Sequence, residues 1–583
     1  MSDRPRAAPR FERKFFDAAE TFTCIGSGSA GGKAGGLLQI KDVLAAGLPP
    51  EACAPFTVEI PTLTVIATDA FDRFVQENRL GDVVRSDAPD DRIAHAFQHA
   101  TLPSDLVGDL RALIEQVHTP LAVRSSSLLE DALSHPFAGV YGTKMIPNNQ
   151  PDVDTRFRKL VEAVKFVYAS TYFSSAKTYI KAAGCSADDE KMAVMIQEVV
   201  GHRFGTRLYP HVSGVAKSYS FYRSGSTRPE DGSVSLALGL GKTIVDGGIV
   251  WTYAPPYPQR TPPFASAADQ LKRTQTEFWA VNMGRPPAYD PTAETEYLVK
   301  ANVADADLDG ALRLVASTYD ARADRVVVGT GPAGPRVMTF APLLVLEELP
   351  LNRVIRSLLA VCEDALQAPV EIEFAATLPA LRGAVEPPRI GFLQVRPMVV
   401  SDQVVVIAPE EMNGPRVLVA SDEVLGNGVV ETMCDIVFVK PETFEVRHTR
   451  EMASEIAGMN RELLDEGRPY LLIGFGRWGS SDPSLGIPAD WGQICGARAI
   501  VEATQPGIMV ELSQGSHFFH NISSFRVSYF STRPHVGYDV DWAWVRGQSI
   551  VRDATFVRHV RLPAPLTVKV DGRSGRGVIL KPA

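Results

Sequence analysis

The sequence predicts a mixed α/β protein in two parts, and three observations carry that reading. Its 583 residues are several times the size of one ordinary domain, which calls for two to four folded units. From about Cys24 to Met398 short apolar runs alternate with longer amphipathic ones, the pattern of interleaved strands and helices. After the PEEMNGP segment, Pro409 to Pro415, the texture changes to strand-like runs around a single amphipathic helix. Hydrophobic residues at 45% and charged residues at 22% suffice for large cores.

Taken in chain order, residues 1–20 read as a polar leader or an opening helix. MSDRPRAAPRFERKFF is basic but has no apolar centre, so it does not read as a secretory signal. Strands are expected at TLTVIA (62–67), LAVRS (121–125), MAVMIQEVV (192–200), SVSLALGL (233–240) and GFLQVRP (391–397). Helices are expected at DAFDRFVQEN (69–78), SDLVGDLRALIEQV (104–117) and RFRKLVEAVKFVYASTYF (156–173). The proline-dense stretch YAPPYPQRTPPF (253–264) breaks regular structure and opens an expected insertion, 255–345, inside a first module of 21–254 and 346–405. Residues 415–583 are expected to form a C-terminal α+β domain around the helix REMASEIAGMNRELLDEG (450–467).

Composition excludes several classes. The formal charge of −9, from 59 basic and 68 acidic residues, argues against a nucleic-acid surface, which needs a basic excess. The six cysteines stand singly, without zinc or disulfide spacing, and fit a reducing cytoplasm. No run is long and apolar enough to span a bilayer.

The chemistry is concentrated in five segments. Binding a triphosphate requires close backbone approach, fixed positive charge and carboxylates for magnesium. GSGSAGGKAGGL (26–37) offers crowding backbone N–H groups and Lys33, although a plain glycine turn reads equally well. In LAVRSSSLLEDALSHPFAGVYGT (121–143) Arg124 ends an apolar strand, where a guanidinium can grip phosphate or pair with Asp131; Ser125 and the turn at Gly139 follow. MIQEVV (195–200) is an apolar strand interrupted by Gln197 and Glu198, either an adenine-facing edge or a solvated one. In VEIEFA (370–375) Glu371 and Glu373 share one strand face, as do Gln394 and Arg396 in GFLQVRPM (391–398).

Read together, GGK (31–33), AVRSS (122–126), ED (130–131), FAG (137–139), IQEVV (196–200), SGVAK (213–217), GLGK (239–242), EIEFA (371–375) and QVRP (394–397) resemble, in order and content, the N-terminal ATP-binding domain of the phosphoenolpyruvate synthase and pyruvate phosphate dikinase family. The resemblance covers about two-thirds of the chain. It implies an ATP-grasp-like, two-lobed fold, with ATP and Mg²⁺ as cofactors. By position, Lys33 and Arg124 would hold phosphates, Ser125 and Gly139 would flank them, and Gln197, Glu198 and Val200 would border adenine. Glu373, with Glu371 beside it, would bind magnesium, while Gln394 and Arg396 would contact the β- and γ-phosphates. Arg124, Glu373 and Arg396 are thereby the expected catalytic residues of this module.

The chain departs from the family in three respects. Lys242 replaces the glutamate of GLGE, adding positive charge instead of a carboxylate, and Lys217 replaces the phenylalanine of SGVAF. Nothing matches the family's phosphohistidine signature, GGxTSHAA, and too few residues remain for its pyruvate-binding barrel.

In the C-terminal part, GRWGSSDP (476–483) is a glycine-punctuated loop suited to a polar substrate. His517 and His520, in GSHFFHN (515–521), follow a Ser-Gln-Gly turn, where an imidazole can accept a phosphoryl group or act as a base; packed core is the alternative. The leading expectation is an ATP-dependent phosphotransferase whose acceptor, or acceptor histidine, belongs to the C-terminal domain. An ATP-charging subunit for a separate phosphohistidine protein, a non-catalytic ATP sensor and an ATP-grasp ligase are the alternatives. No nucleic-acid or membrane partner is expected, and the chain is compatible with an oligomer.

Overall fold

A computed structural model describes residues 8–13, 21–130, 139–185, 190–220, 227–262, 264–379, 387–400, 403, 405–479, 486–504, 522, 525–532 and 538–582. The first module is built on two mixed sheets. One has five strands in the order Phe22–Ile25, Leu63–Ile66, Met192–Glu198, Leu121–Ser127, Thr143–Ile146. Its helices form where a cap and an apolar face coincide. Asp152 caps Val153–Ser170, accepting the Thr155 N–H at 2.7 Å, and the buried Leu160, Ala163, Val164 and Val167 then turn to the core. The second sheet runs Trp251–Tyr253, Ser233–Ala237, Val212–Lys217, Val370–Thr377, Arg389–Pro397, Thr57–Glu59.

The helix Gly31–Gly47 joins the two. Gly31 and Gly32 abut the backbone of Ser126 and Glu130 beside the first sheet, and Gly36 abuts the carbonyl of Val395 in the second. This is the two-lobed, ATP-grasp-like arrangement expected from the sequence.

Residues 255–345, expected as an insertion, are threaded into the module. Glu277–Asn282 pairs with Arg207–Tyr209 and with Leu298–Asn302, and Phe278, Ala280 and Phe340 are buried in the same core as the second sheet. Part of the expected leader is also tied down: Phe11 is buried, and its N–H donates to the Cys24 carbonyl at 2.8 Å.

Beyond Pro415 nine of the described strands form a mixed sheet centred on Gly428–Val439, Tyr470–Phe475 and Val557–Asp571, and Arg477–Trp478 pairs separately with Gly486–Ile487. The expected helix is present as Thr449–Asp465. One continuous apolar core includes both Phe71, Tyr168 and Tyr179 of the first module and Tyr470, Trp491 and Phe525 of the C-terminal domain. At that seam Tyr179 meets Phe525 edge-on, with ring centroids 5.1 Å apart. A Cβ on Gly492 would lie 2.8 Å from the Ser175 carbonyl, so the two domains are in backbone contact. Among the described residues no helix is long and apolar enough to cross a membrane.

The C-terminal sheet carries a buried charge cluster. Asp435 accepts from His559 Nε2, Arg561 Nε and Arg468 Nε, each at 2.8 Å. Burial alone would raise its carboxyl, but these hydrogen bonds outweigh it and hold the pKa at about 2. A folded value below the unfolded one of about 4 contributes stability at neutral pH that is lost as pH falls from about 4 to 2. Asp435→Asn should therefore cost on the order of 3 kcal/mol at pH 7 and converge with the wild type in acid, read from denaturant midpoints across that range.

Candidate functional site

The glycine-rich turn is shaped before any ligand arrives. The carboxylate of Asp69 accepts the backbone N–H groups of Ser27 at 3.1 Å and Gly28 at 3.0 Å, so the first nest of this loop already holds an anion. Gly31 then has φ +76°, and a Cβ there would sit 1.6 Å from the Ser126 carbonyl oxygen. Only glycine permits that approach. It brings Lys33, in the first helical turn, to the end of the Leu121–Ser127 strand. There Lys33 Nζ donates to Glu130 Oε1 at 2.7 Å and to Ser125 Oγ at 3.2 Å. Ser125 is fully buried and orients Lys33.

Arg124, on the same strand, reaches across to the second sheet. Its Nη2 donates to Glu373 Oε2 at 3.1 Å and Gln394 Oε1 at 2.9 Å. Its Nη1 lies 3.4 Å from both Gln197 Oε1 and the Leu393 carbonyl. Lys33, Arg124, Gly139, Gln197, Glu198, Val200, Lys242 and Glu373 thus come together around one cavity of about 450 Å³.

The cavity lining is of two kinds. Ala122, Met145, Leu240 and Leu298 form an apolar cluster with Val199 of the Gln197–Val200 edge. Lys33, Arg124, Lys242, Asp246, Glu294 and Glu373 supply charge to the same lining. A flat heterocycle suits the apolar cluster, and a triphosphate suits the cations.

Glu371 and Arg396 are placed differently from Glu373. They share its strand face, as the spacing requires, but each is 1% exposed, they pair with each other, and neither lines the cavity. Lys217 explains the arrangement. Glu371 stands opposite both Lys217 and Arg396 in the strand registers, and Lys217 Nζ lies 3.3 Å from its carboxylate. The lysine that departs from the family pattern completes a buried ion triplet. Gln394 is buried and acts here on Arg124.

Lys242, the other departure, is held between Asp246 at 3.1 Å and Glu294 at 3.9 Å. Glu294 lies in the segment read as an insertion, and neither carboxylate belongs to a motif. The one signal for Asp246 was its place in TIVDGG, one helical turn after Lys242.

The C-terminal domain supplies part of the wall, through Gly479 and Pro488–Trp491. Arg477, 6% exposed, donates from Nη1 to the Gly247 carbonyl at 3.1 Å and so braces the turn after Lys242. His517, His520, Asp131 and 480–482 lie outside the described residues.

Among the described residues no three His, Cys, Asp or Glu side chains cluster as a metal cage. Glu373 Oε1, however, is buried without a hydrogen-bond partner. One such oxygen fits Mg²⁺, which takes most of its ligands from water and phosphate.

Residues 27–414 match the family model described as pyruvate phosphate dikinase, AMP/ATP-binding domain. The chain is also 28% identical over 172 residues to the prodigiosin synthesizing transferase PigC of Serratia marcescens, a match covering 29% of this chain and 17% of that protein. The matched segment is thus a small fraction of that relative's length.

Two glycines of one helix should behave oppositely. Gly31→Ala meets backbone at 1.6 Å and should weaken Mg-ATP binding by about tenfold or more with a lower melting temperature. Gly35→Ala, with nothing within 4 Å, should stabilise by up to about 1 kcal/mol and leave binding intact. Thermal unfolding and nucleotide titration read both.

Proposed function

Because the chain belongs to the pyruvate phosphate dikinase AMP/ATP-binding domain family, we propose that it is a Mg-ATP-dependent phosphotransferase whose acceptor meets the nucleotide against the C-terminal domain. The observation that carries this reading is the convergence of Lys33, Arg124, Lys242 and Glu373 on a cavity that also has an apolar cluster in its lining. The transferase named in the Serratia relative accords with it.

The work of these residues is positioning and charge neutralisation. The apolar cluster takes the adenine beside Gln197–Val200. Glu130 neutralises Lys33 and Glu373 neutralises Arg124. A triphosphate replaces those internal partners, leaving Arg124 and Lys33 on its oxygens and Glu373 for the metal. Magnesium, when bound there, would withdraw charge from the transferring phosphoryl group. Arg396 and Glu371 stiffen the strands that carry Gln394 and Glu373, instead of touching phosphate. His517 and His520 are the carriers to test within the C-terminal domain.

The expected outcomes are specific. Lys33→Ala and Glu373→Ala should each lower turnover by about 100-fold or more in a protein that still folds, with a lower melting temperature because Glu130 or Arg124 loses its partner; wild-type rates in either would sink the site. In an assay with β-³²P- and γ-³²P-ATP, acid-labile β-label on the wild type but not on His517→Ala/His520→Ala would mark a dikinase histidine. γ-Label in a free product would mark kinase chemistry. Binding without any turnover would select a sensor.

A further inference from the structure

The C-terminal domain is fixed in place where it meets the nucleotide cavity. The short turn Trp491–Gln493 packs on the helix Ser174–Ala182 of the first module. Trp491 lies against Phe525, with ring centroids 5.6 Å apart, and Phe525 lies against Tyr179. Arg477 reaches the Gly247 carbonyl from the other side of the loop. The residue that opens the turn, Asp490, is left facing the cavity. Its surface is accessible, yet protein surrounds it closely enough that burial, with Asp246 nearby, raises its carboxyl above the usual range. An accessible but enclosed carboxylate is the environment of a group that holds a proton during a reaction.

We propose that Asp490 is the general base of the phosphoryl transfer and that the acceptor is a small hydroxyl-bearing molecule bound between Asp490 and the Lys242–Val245 turn. This deepens the phosphotransferase reading and rests on it. The class of acceptor follows from the base. A carboxylate or phosphate acceptor is already an anion and needs none, whereas a neutral hydroxyl must lose its proton as its oxygen bonds to phosphorus.

The step balances. The acceptor oxygen bonds to the terminal phosphorus of ATP, the bond from that phosphorus to the bridging oxygen breaks, and its electron pair leaves with ADP. The hydroxyl proton passes to the Asp490 carboxylate and then to water. Catalytic-loop aspartates of protein kinases act in this way on hydroxyl substrates.

Asp490 also has a structural function, as the residue that opens the turn: its own N–H donates to Gln493 Oε1 at 2.9 Å. Two variants of the full-length protein separate these roles. Asp490→Asn and Asp490→Ser both retain a capping oxygen, and neither can take the proton. With water as the hydroxyl probe, both should lower release of labelled phosphate from γ-³²P-ATP by about 100-fold or more. Binding of a non-hydrolysable Mg-ATP analogue should stay within about threefold of wild type in each. Turnover within a few fold of wild type in either variant overturns the base assignment, as does a parallel loss of binding; the phosphotransferase reading survives if Lys33→Ala and Glu373→Ala are still inactive. A wild type that binds the analogue but turns over no ATP overturns both.

Discussion

Arg124 is the contact on which the site depends. It projects from the middle of the strand Leu121–Ser127 in one sheet and hydrogen-bonds to Glu373 and Gln394 in the other, so a single guanidinium closes the distance between the lobes. Its planar, fixed fork is what allows it to serve several acceptors at once. The helix that begins at Gly31 makes the same connection from behind, touching backbone in both sheets. The cavity exists because these two bridges hold the sheets at a constant separation around it.

Within that frame the resting site is electrically closed. Lys33 is matched by Glu130, Arg124 by Glu373, Lys242 by Asp246 and Glu294, and the nest at Ser27 and Gly28 by Asp69. Leaving such charges unpaired in a partly desolvated cavity would be strongly destabilising, so the fold needs these partners. The incoming ligand competes with carboxylates of the protein itself, which favours a ligand carrying both high negative charge and a cation.

Much of this was legible in the sequence where the information is local. The spacing of glycines, the serines after Arg124 and the alternation in EIEFA and QVRP located Lys33, Arg124, Gly139, Gln197 and Glu373 at one cavity. The same alternation put Glu371 and Arg396 on that face correctly, but could not show Lys217 on the neighbouring strand, and that neighbour turns them into a buried triplet. Register between strands more than 150 positions apart is tertiary information. The prolines after Tyr253 are a loop, as read, yet the strand that follows finds its partner at Arg207–Tyr209, and proline density says nothing about pairing. Asp246, Glu294 and Asp490 carry no motif, because each acts through where the fold brings it and not through its sequence neighbours.

The shared core at Tyr179, Trp491 and Phe525 has an evolutionary consequence. A domain joined by a flexible tether can be shuffled between chains as a unit, since its surface is complete when it is alone. Here each half is finished by the other, and a recombination event that separated them would expose aromatic surface on both. Lineages descended from this chain can therefore alter the cavity wall in place, one side chain at a time, but not exchange the C-terminal half for another.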